Sequence, residues 1–214
     1  MTNDLTNKTV LITGATGGIG KALCNSFASA NARVVLHYNS SKARAESIMN
    51  SLPNNKHTIV QADLSNPEHI EKMFNEIDSV DLVVNNAAVV ETHKIDSLAF
   101  EEWKNMWNRT INTNLLGPAH IIYFASRKMI QNNGGKIINI SSRGAFRGEP
   151  NAPAYGASKA GLNSLGQSMA KALAKDKIFV YTIAPGFVDT ERVKNLITDE
   201  VKAQSPLNLS LIHI

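Results

Sequence analysis

Ser142, Tyr155 and Lys159 are the residues of this sequence whose types and spacing could move a proton. Tyr155 and Lys159 lie four positions apart, which on a helix stacks them on one face with about 5–6 Å between Cβ atoms. A phenol ionises near pH ~10, and a neighbouring ammonium favours the phenolate, so the pair brings a tyrosine toward working pH as proton donor and acceptor. Ser142 follows a short apolar run, Ile137 to Ile140, which places a hydroxyl at a strand tip. Taken alone, Tyr-x-x-x-Lys also describes a packing tyrosine beside a solvated lysine, so the surrounding elements must decide.

Those elements alternate. Ile137 to Ile140 leads through a Gly/Pro-rich connection (Gly144, Gly148, Pro150, Pro153) to a helix opening near Ala154 that carries Tyr155 and Lys159. At the start of the chain, Thr9 to Thr13 is a β-branched run that breaks into Gly14-Ala-Thr-Gly-Gly-Ile-Gly20 and continues as a helix with apolar Ile19, Leu23 and Phe27. Glycines in a strand-to-helix turn let the backbone approach a pyrophosphate, which then faces the free N–H groups of the helix N-terminus. Thr13, Gly14, Thr16, Gly18, Ile19 and Gly20 are the candidate phosphate cradle.

A second β run, Arg33 to Tyr38, ends in Tyr38-Asn39-Ser40-Ser41, with Lys42 and Arg44 just beyond. A carboxylate at this tip would bind a free adenosine 2′-hydroxyl. Hydroxyls, an amide and nearby cations suit a 2′-phosphate instead, so NADP(H) is expected over NAD(H); Lys42 and Arg44 also fit the solvated face of a helix running to Leu52.

Strand Thr58 to Gln61 then leads to Asp63 and Leu64, helix Pro67 to Asp78 follows, and strand Leu82 to Val84 ends in Asn85-Asn86-Ala87-Ala88. Asp63 could face the adenine and Asn86 the nicotinamide side, or each could satisfy a local turn. A long helix spans about Phe100 to Met129 and contains Asn112-Thr-Asn114-Leu-Leu-Gly117-Pro118, poor helix formers that predict a kink. A kink frees backbone carbonyls for water, and Asn114 could hold that water in a proton path. A sixth strand, Phe179 to Ile183, runs into Pro185-Gly186. The turn after it, through Val188 and Thr190, borders the crevice in which a nicotinamide carboxamide could be held. The βαβ rhythm predicts an α/β doubly wound parallel sheet with helices on both faces.

The 214 residues carry a net charge of +4, spread along the chain without a basic run, which disfavours nucleic acid as a partner. Met1 to Lys8 lacks an apolar core, and no stretch reaches the roughly 18 apolar residues of a membrane span. A soluble, cytoplasmic protein is expected. The single cysteine, Cys24, excludes intrachain disulfides and reads as a small core residue.

From about Lys8 to Val193 the chain resembles the main branch of the short-chain dehydrogenase/reductase family. The resemblance rests on Thr13 to Gly20, Asn85 to Ala87, Asn114, Ser142, Tyr155, Lys159 and Pro185-Gly186-x-x-x-Thr190, in family order and spacing. It implies a Rossmann-type fold binding NADP(H). Tyr155 would then protonate a small-molecule carbonyl, Ser142 orient its oxygen, Lys159 bind the nicotinamide ribose and lower the tyrosine pKa, and Asn114 anchor a water relay. Ala88 stands where the family motif usually has glycine, and Gly17 where many NADP-using members have a basic residue. Within the family the general likeness is to β-ketoacyl-acyl-carrier-protein reductases, although Asn133 and Asp176 occupy positions where some of those place carrier-docking arginines. His37 to Ser41 and Gln61 to Ser65 look like pteridine reductases. Family helices corresponding to about 100–129 and 154–174 commonly pair subunits, which implies a homodimer or homotetramer.

Relatives continue through a substrate lid, a helix and a seventh strand, whereas this sequence stops soon after Gln204. Leu209 to Ile214 matches one reading frame of a transposon-end sequencing adapter. The expectation is therefore one dinucleotide-binding domain over residues 1–208, without the family's last strand and C-terminal helix, followed by a non-native tail at 209–214. An exposed side of the sixth strand would make such a chain poorly soluble and weakly active. The competing reading is a dinucleotide-binding regulator that uses the fold without turnover.

Overall fold

Six short apolar runs form one parallel sheet in the computed structural model, which describes residues 4–186, 188–189 and 212–213. The strands are β1 (Thr9–Ile12), β2 (Arg33–Tyr38), β3 (Thr58–Gln61), β4 (Leu82–Asn85), β5 (Gly135–Ile140) and β6 (Ile178–Ile183), in the order β3-β2-β1-β4-β5-β6. The order reverses between β1 and β4, so a crevice opens there at the carboxyl ends of the strands. In-register pairs such as Leu11 with Val35 and with Val83 fix the sheet.

Successive strand residues point to opposite faces, and both faces are covered. Val10, Ile12, Val34, Leu36 and Val84 pack with Cys24 and Ala28 of helix α1 (Gly18–Ser29) and Ile48 of α2 (Lys42–Ser51). Leu11, Val35, Val60, Val83 and Ile137 face the other way. They meet Ile70, Met73 and Phe74 of α3 (Pro67–Asn75) and Ile121, Ile122, Ala125 and Met129 of α5 (Gly117–Gln131). Cys24 lies in the core as expected, where burial pushes its thiol up to about 12.

The expected kink is a π-helical turn. Helix α4 (Phe100–Ile111) continues through a π turn at Asn112–Leu116 into α5, with the Gly117 N–H donating to Asn112 O. Pro118 has no N–H to offer the Asn114 carbonyl four residues earlier, so an unbroken α ladder cannot form here. Gly117 is required by closeness: a Cβ there would lie 2.7 Å from Leu64 O.

Two elements differ from the sequence reading. Helix α3 ends at Asn75 rather than Asp78, and the Gly/Pro-rich connection contains a one-turn helix, α6 (Gly144–Arg147), closed by Gly148 at φ +79°. Helix α7 (Pro153–Leu173) carries Tyr155 and Lys159 and ends in a 3₁₀ turn at Ala174–Asp176. Beyond β6, Val188–Asp189 (β7) pairs in parallel with Ile212–His213 (β8). Among the described residues β6 has β5 as its one sheet neighbour, and Phe179, Tyr181 and Ile183 on it are about half exposed.

Candidate active site

The glycine turn is built by contacts that reject side chains. Gly14 sits at φ +63°, and a Cβ there would lie 2.9 Å from Ala87 Cα; a Cβ on Gly20 would strike the Gly14 carbonyl oxygen. Gly17 and Gly18, by contrast, are exposed, with Thr16 and Ile19 half-buried beside them. No side chain caps α1 at Gly17 and no acidic residue lies in its first turn. The N-terminal N–H groups of α1 are therefore available to an anion, and the cradle fits the pyrophosphate of a dinucleotide.

Thr13 and Asn86 shape this turn from inside. The Thr13 hydroxyl donates to Val84 O at 3.3 Å and accepts from the N–H groups of Asn86 (2.9 Å) and Ala87 (3.0 Å). The Asn86 amide donates to Thr13 O at 2.9 Å and Gly14 O at 3.2 Å. Asp63 accepts from the Ser65 N–H (2.9 Å) and hydroxyl (2.7 Å), so its Oδ1 serves the turn that includes Leu64. Burial pushes the Asp63 carboxyl up, but the Ser65 hydrogen bonds with His69 and Arg109 nearby outweigh it and leave it below its ordinary value. Tyr38 is buried at the end of β2, whereas Asn39, Ser40 and Ser41 are exposed and the Ser41 hydroxyl makes no cap to α2. Tyr38, Asn39, Lys42 and Asp63 border one cavity of about 1010 Å³, on the side where an adenosine would lie.

Sequence reasoning gave His37 no role, yet it ties the glycine turn to the sheet. It is 2% exposed. Its Nδ1 accepts the Gly14 N–H at 3.0 Å and its Nε2 lies 3.0 Å from Ala62 O, which fixes Nε2–H as donor. Burial pulls its pKa down to about 4, against smaller opposing effects of Ala62 O and Asp63. Only the partner geometry reveals this role, because both partners are distant in sequence.

The candidate proton-handling residues lie about the carboxyl end of β5. Lys159 is 2% exposed, and its Nζ donates to Ile140 O at 2.7 Å and lies 5.8 Å from the centre of the Tyr155 ring. Burial pulls its pKa down to about 8, so the ammonium is still mostly charged at neutral pH. The Ser141 hydroxyl donates to Lys159 O at 3.3 Å, a second tie between α7 and β5. Ser142 Oγ accepts the Gly144 N–H at 3.1 Å, which leaves its own proton uncommitted among the described residues. Tyr155 is half-buried on the first turn of α7.

Asn114 joins the same network. It is fully buried in the π turn; its Oδ1 accepts the Val89 N–H at 2.8 Å, and its Nδ2 donates to Val89 O (2.8 Å) and Ser158 Oγ (3.2 Å). Ser158 in turn donates to Tyr155 O at 2.7 Å. The side-chain amide thus supports the π turn and α7, and Pro118, four residues on, has no N–H to offer the Asn114 backbone carbonyl. Pro185 and Gly186 are half-buried after β6, Pro185 O accepts the Arg143 N–H at 3.2 Å, and Val188 is buried. Thr190 lies outside the described residues.

A strand-glycine-helix cradle at the switch point of a 3-2-1-4-5-6 sheet, with a Ser/Tyr/Lys set on the neighbouring strand and helix, defines a dinucleotide-dependent oxidoreductase. The comparisons with known proteins agree. The sequence model of the short chain dehydrogenase family matches residues 8–201. The chain is 35% identical to the 3-oxoacyl-acyl-carrier-protein reductase FabG of Aquifex aeolicus, over 95% of this chain and 84% of that protein. It is 30% identical to the corresponding reductase of Synechocystis, over 95% and 83%. A short-chain type dehydrogenase/reductase from Mycobacterium marinum superposes with a TM-score of 0.83 at 28% identity, covering 98% of this chain and 84% of that one. A further short chain dehydrogenase/reductase family protein gives 0.86 at 25% identity, covering 98% and 85%. The protein belongs to the short-chain dehydrogenase/reductase family and is an NAD(P)-dependent oxidoreductase of that family. Among the described residues no helix is long and apolar enough to cross a membrane.

Proposed function

We propose that this protein is an NADPH-dependent reductase that converts a ketone to an alcohol, reversibly, with Tyr155 as the general acid and base. The observation that carries the reading is the buried Lys159 ammonium beside the Tyr155 ring at the end of β5. Burying a cation is costly for a fold, and its return here is stabilisation of a tyrosinate.

Bound in the crevice, a nicotinamide cofactor would supply the hydride for the carbonyl carbon. The chain's part is to hold and protonate. Ser142 keeps its proton and donates a hydrogen bond from its hydroxyl to the substrate oxygen, while Tyr155 Oη transfers the one proton that the alcohol gains. Lys159 stabilises the resulting phenolate and would hold the nicotinamide ribose, and water at the Asn114 carbonyl returns the proton. In the oxidative direction every proton step reverses. The α1 N-terminus, Thr16, Gly18 and Ile19 would hold the pyrophosphate, with Thr13, Gly14 and Gly20 shaping the turn. Asp63, Leu64, Asn86, Ala87, Pro185, Gly186, Val188 and Thr190 would line the remaining length of the dinucleotide. Asn39, Ser40 and Ser41, exposed and free of carboxylate, favour a 2′-phosphate there.

The names of the relatives suggest 3-oxoacyl thioesters as the substrate class, while Asn133 and Asp176 lack the positive charge that would dock an acidic carrier protein. Exposed Leu116, Tyr123 and Ile130 along the π turn and α5 support self-association as a dimer or tetramer. We place the enzyme in the cytoplasm, as one domain over residues 1–208. The test is NADPH and NADH oxidation by the full chain over a panel of ketones, comparing wild type with Tyr155→Phe. Turnover in wild type, lost in the variant with NADPH still bound, supports the reading; binding without turnover in both points to a regulator.

A further inference from the structure

Helix α7 carries Tyr155 on its first turn, yet its own N-cap residue, Ala152, supplies no side-chain acceptor. The first N–H groups of a helix lack intrahelical partners. Here the Ala154 N–H donates to Nε2 of His93 at 3.1 Å, from a residue 61 positions earlier. Because that nitrogen accepts, the ring proton sits on Nδ1, which donates to Glu91 O at 2.7 Å. The His93 N–H donates to Asn151 O at 2.8 Å, just ahead of the helix. The ring is 1% exposed and meets Trp103 and Trp107 edge-on at 5.5 and 6.5 Å. Arg109 holds Glu91 by an ion pair of 2.7 Å.

The strap that follows β4 is pinned at each of its functional neighbours. Asn86 and Ala87 are held by Thr13 at the glycine turn, Val89 by Asn114 at the π turn, and His93 by the start of α7. We propose that His93 is a positioning residue for the reaction: it sets where α7 begins along its own axis, and so where the Tyr155 phenol stands relative to Ser142 and the glycine turn. It touches neither substrate nor cofactor. The inference rests on the carbonyl-reductase reading above.

The test compares His93→Leu, which keeps bulk and removes the acceptor, with His93→Gln, whose side-chain oxygen can reach the same N–H. Reduction of ethyl acetoacetate by the full chain is measured with NADPH, alongside NADPH affinity by fluorescence titration. A displacement of the reacting group by about 1 Å costs on the order of 100-fold in rate. We expect kcat of His93→Leu to fall by that order with NADPH affinity unchanged, and His93→Gln to recover most of it. A cap that serves the fold alone would leave kcat of the folded variant at the wild-type value, which overturns the proposal. So would NADPH affinity falling in step with kcat, or His93→Gln performing no better than His93→Leu. Should His93→Leu fail to fold, ¹⁵N spectra of the wild-type imidazole decide: an Nδ1–H tautomer with a slowly exchanging Ala154 amide supports the proposal, and an Nε2–H tautomer overturns it. Absence of wild-type turnover would sink the reductase reading, while the spectra judge the His93 bond separately.

Discussion

Acid should loosen the glycine turn through His37. In the fold its Nδ1 must stay unprotonated to accept the Gly14 N–H, and burial holds the pKa near 4, against about 6.5 in an unfolded chain. Between those values the unfolded chain binds the proton and the fold does not, so stability falls as pH drops from about 6.5 toward 4. At 1.36 kcal/mol per pH unit the full loss is about 3 kcal/mol, of which about 2 kcal/mol accrues between about pH 7 and pH 4.5. Carboxylates also titrate in this window, so the informative quantity is the difference between wild type and His37→Asn. Asparagine stays neutral and can still accept from Gly14, but leaves Ala62 O unpaired and starts about 1–2 kcal/mol less stable. Urea unfolding followed by circular dichroism at several pH values gives both slopes. The wild-type midpoint should fall by about 1 M more than that of the variant on acidification. Equal slopes would refute the tether, as would a wild-type His37 that titrates near 6.5 by NMR.

The remaining expectations concern the same site. Lys159, pulled down to about 8 by burial, binds fewer protons in the fold than in the unfolded chain up to about pH 10.5. Wild-type stability should therefore rise by up to about 3 kcal/mol between pH 8 and 10.5, a rise absent from Lys159→Met in thermal melts, while that variant loses turnover. Gly20→Ala would drive a methyl into the Gly14 carbonyl, costing roughly 1–3 kcal/mol and abolishing NADPH binding by titration. Asn114→Ala strands Val89 N–H and O; we expect about 2–4 kcal/mol lower stability by denaturant unfolding, together with lost turnover.

The six strands and their βαβ order were legible because parallel strands buried on both faces leave unbroken apolar runs such as Val34-Val35-Leu36. The glycine turn was legible because strand, glycines and helix follow one another in the chain and Gly20 is dictated by Gly14 and Ala15, although the atom that crowds Gly14 is Ala87 Cα, beyond the end of β4. The poor helix formers from Asn112 to Pro118 signalled a break in the helix, but not that a π turn would absorb it. What could not be read is what long-range contacts decide. His37 and His93 are ordinary letters in the sequence; their roles depend on N–H groups 23 and 61 positions away. The saturation of the Thr13 hydroxyl and the Asn114 amide by backbone groups likewise emerges only when β1, β4 and the π turn are brought together.

The π turn also acts as a phase change along one continuous rod. Before it, α4 buries little beyond Thr110; after it, Ile121, Ile122, Ala125 and Met129 enter the core. One residue more or less in a helix rotates everything downstream by about 100°. The wider π turn absorbs one such residue at the break that Pro118 imposes, so Ile121, Ile122, Ala125 and Met129 still face the sheet. The irregular turn thus keeps the two halves of the helix in step.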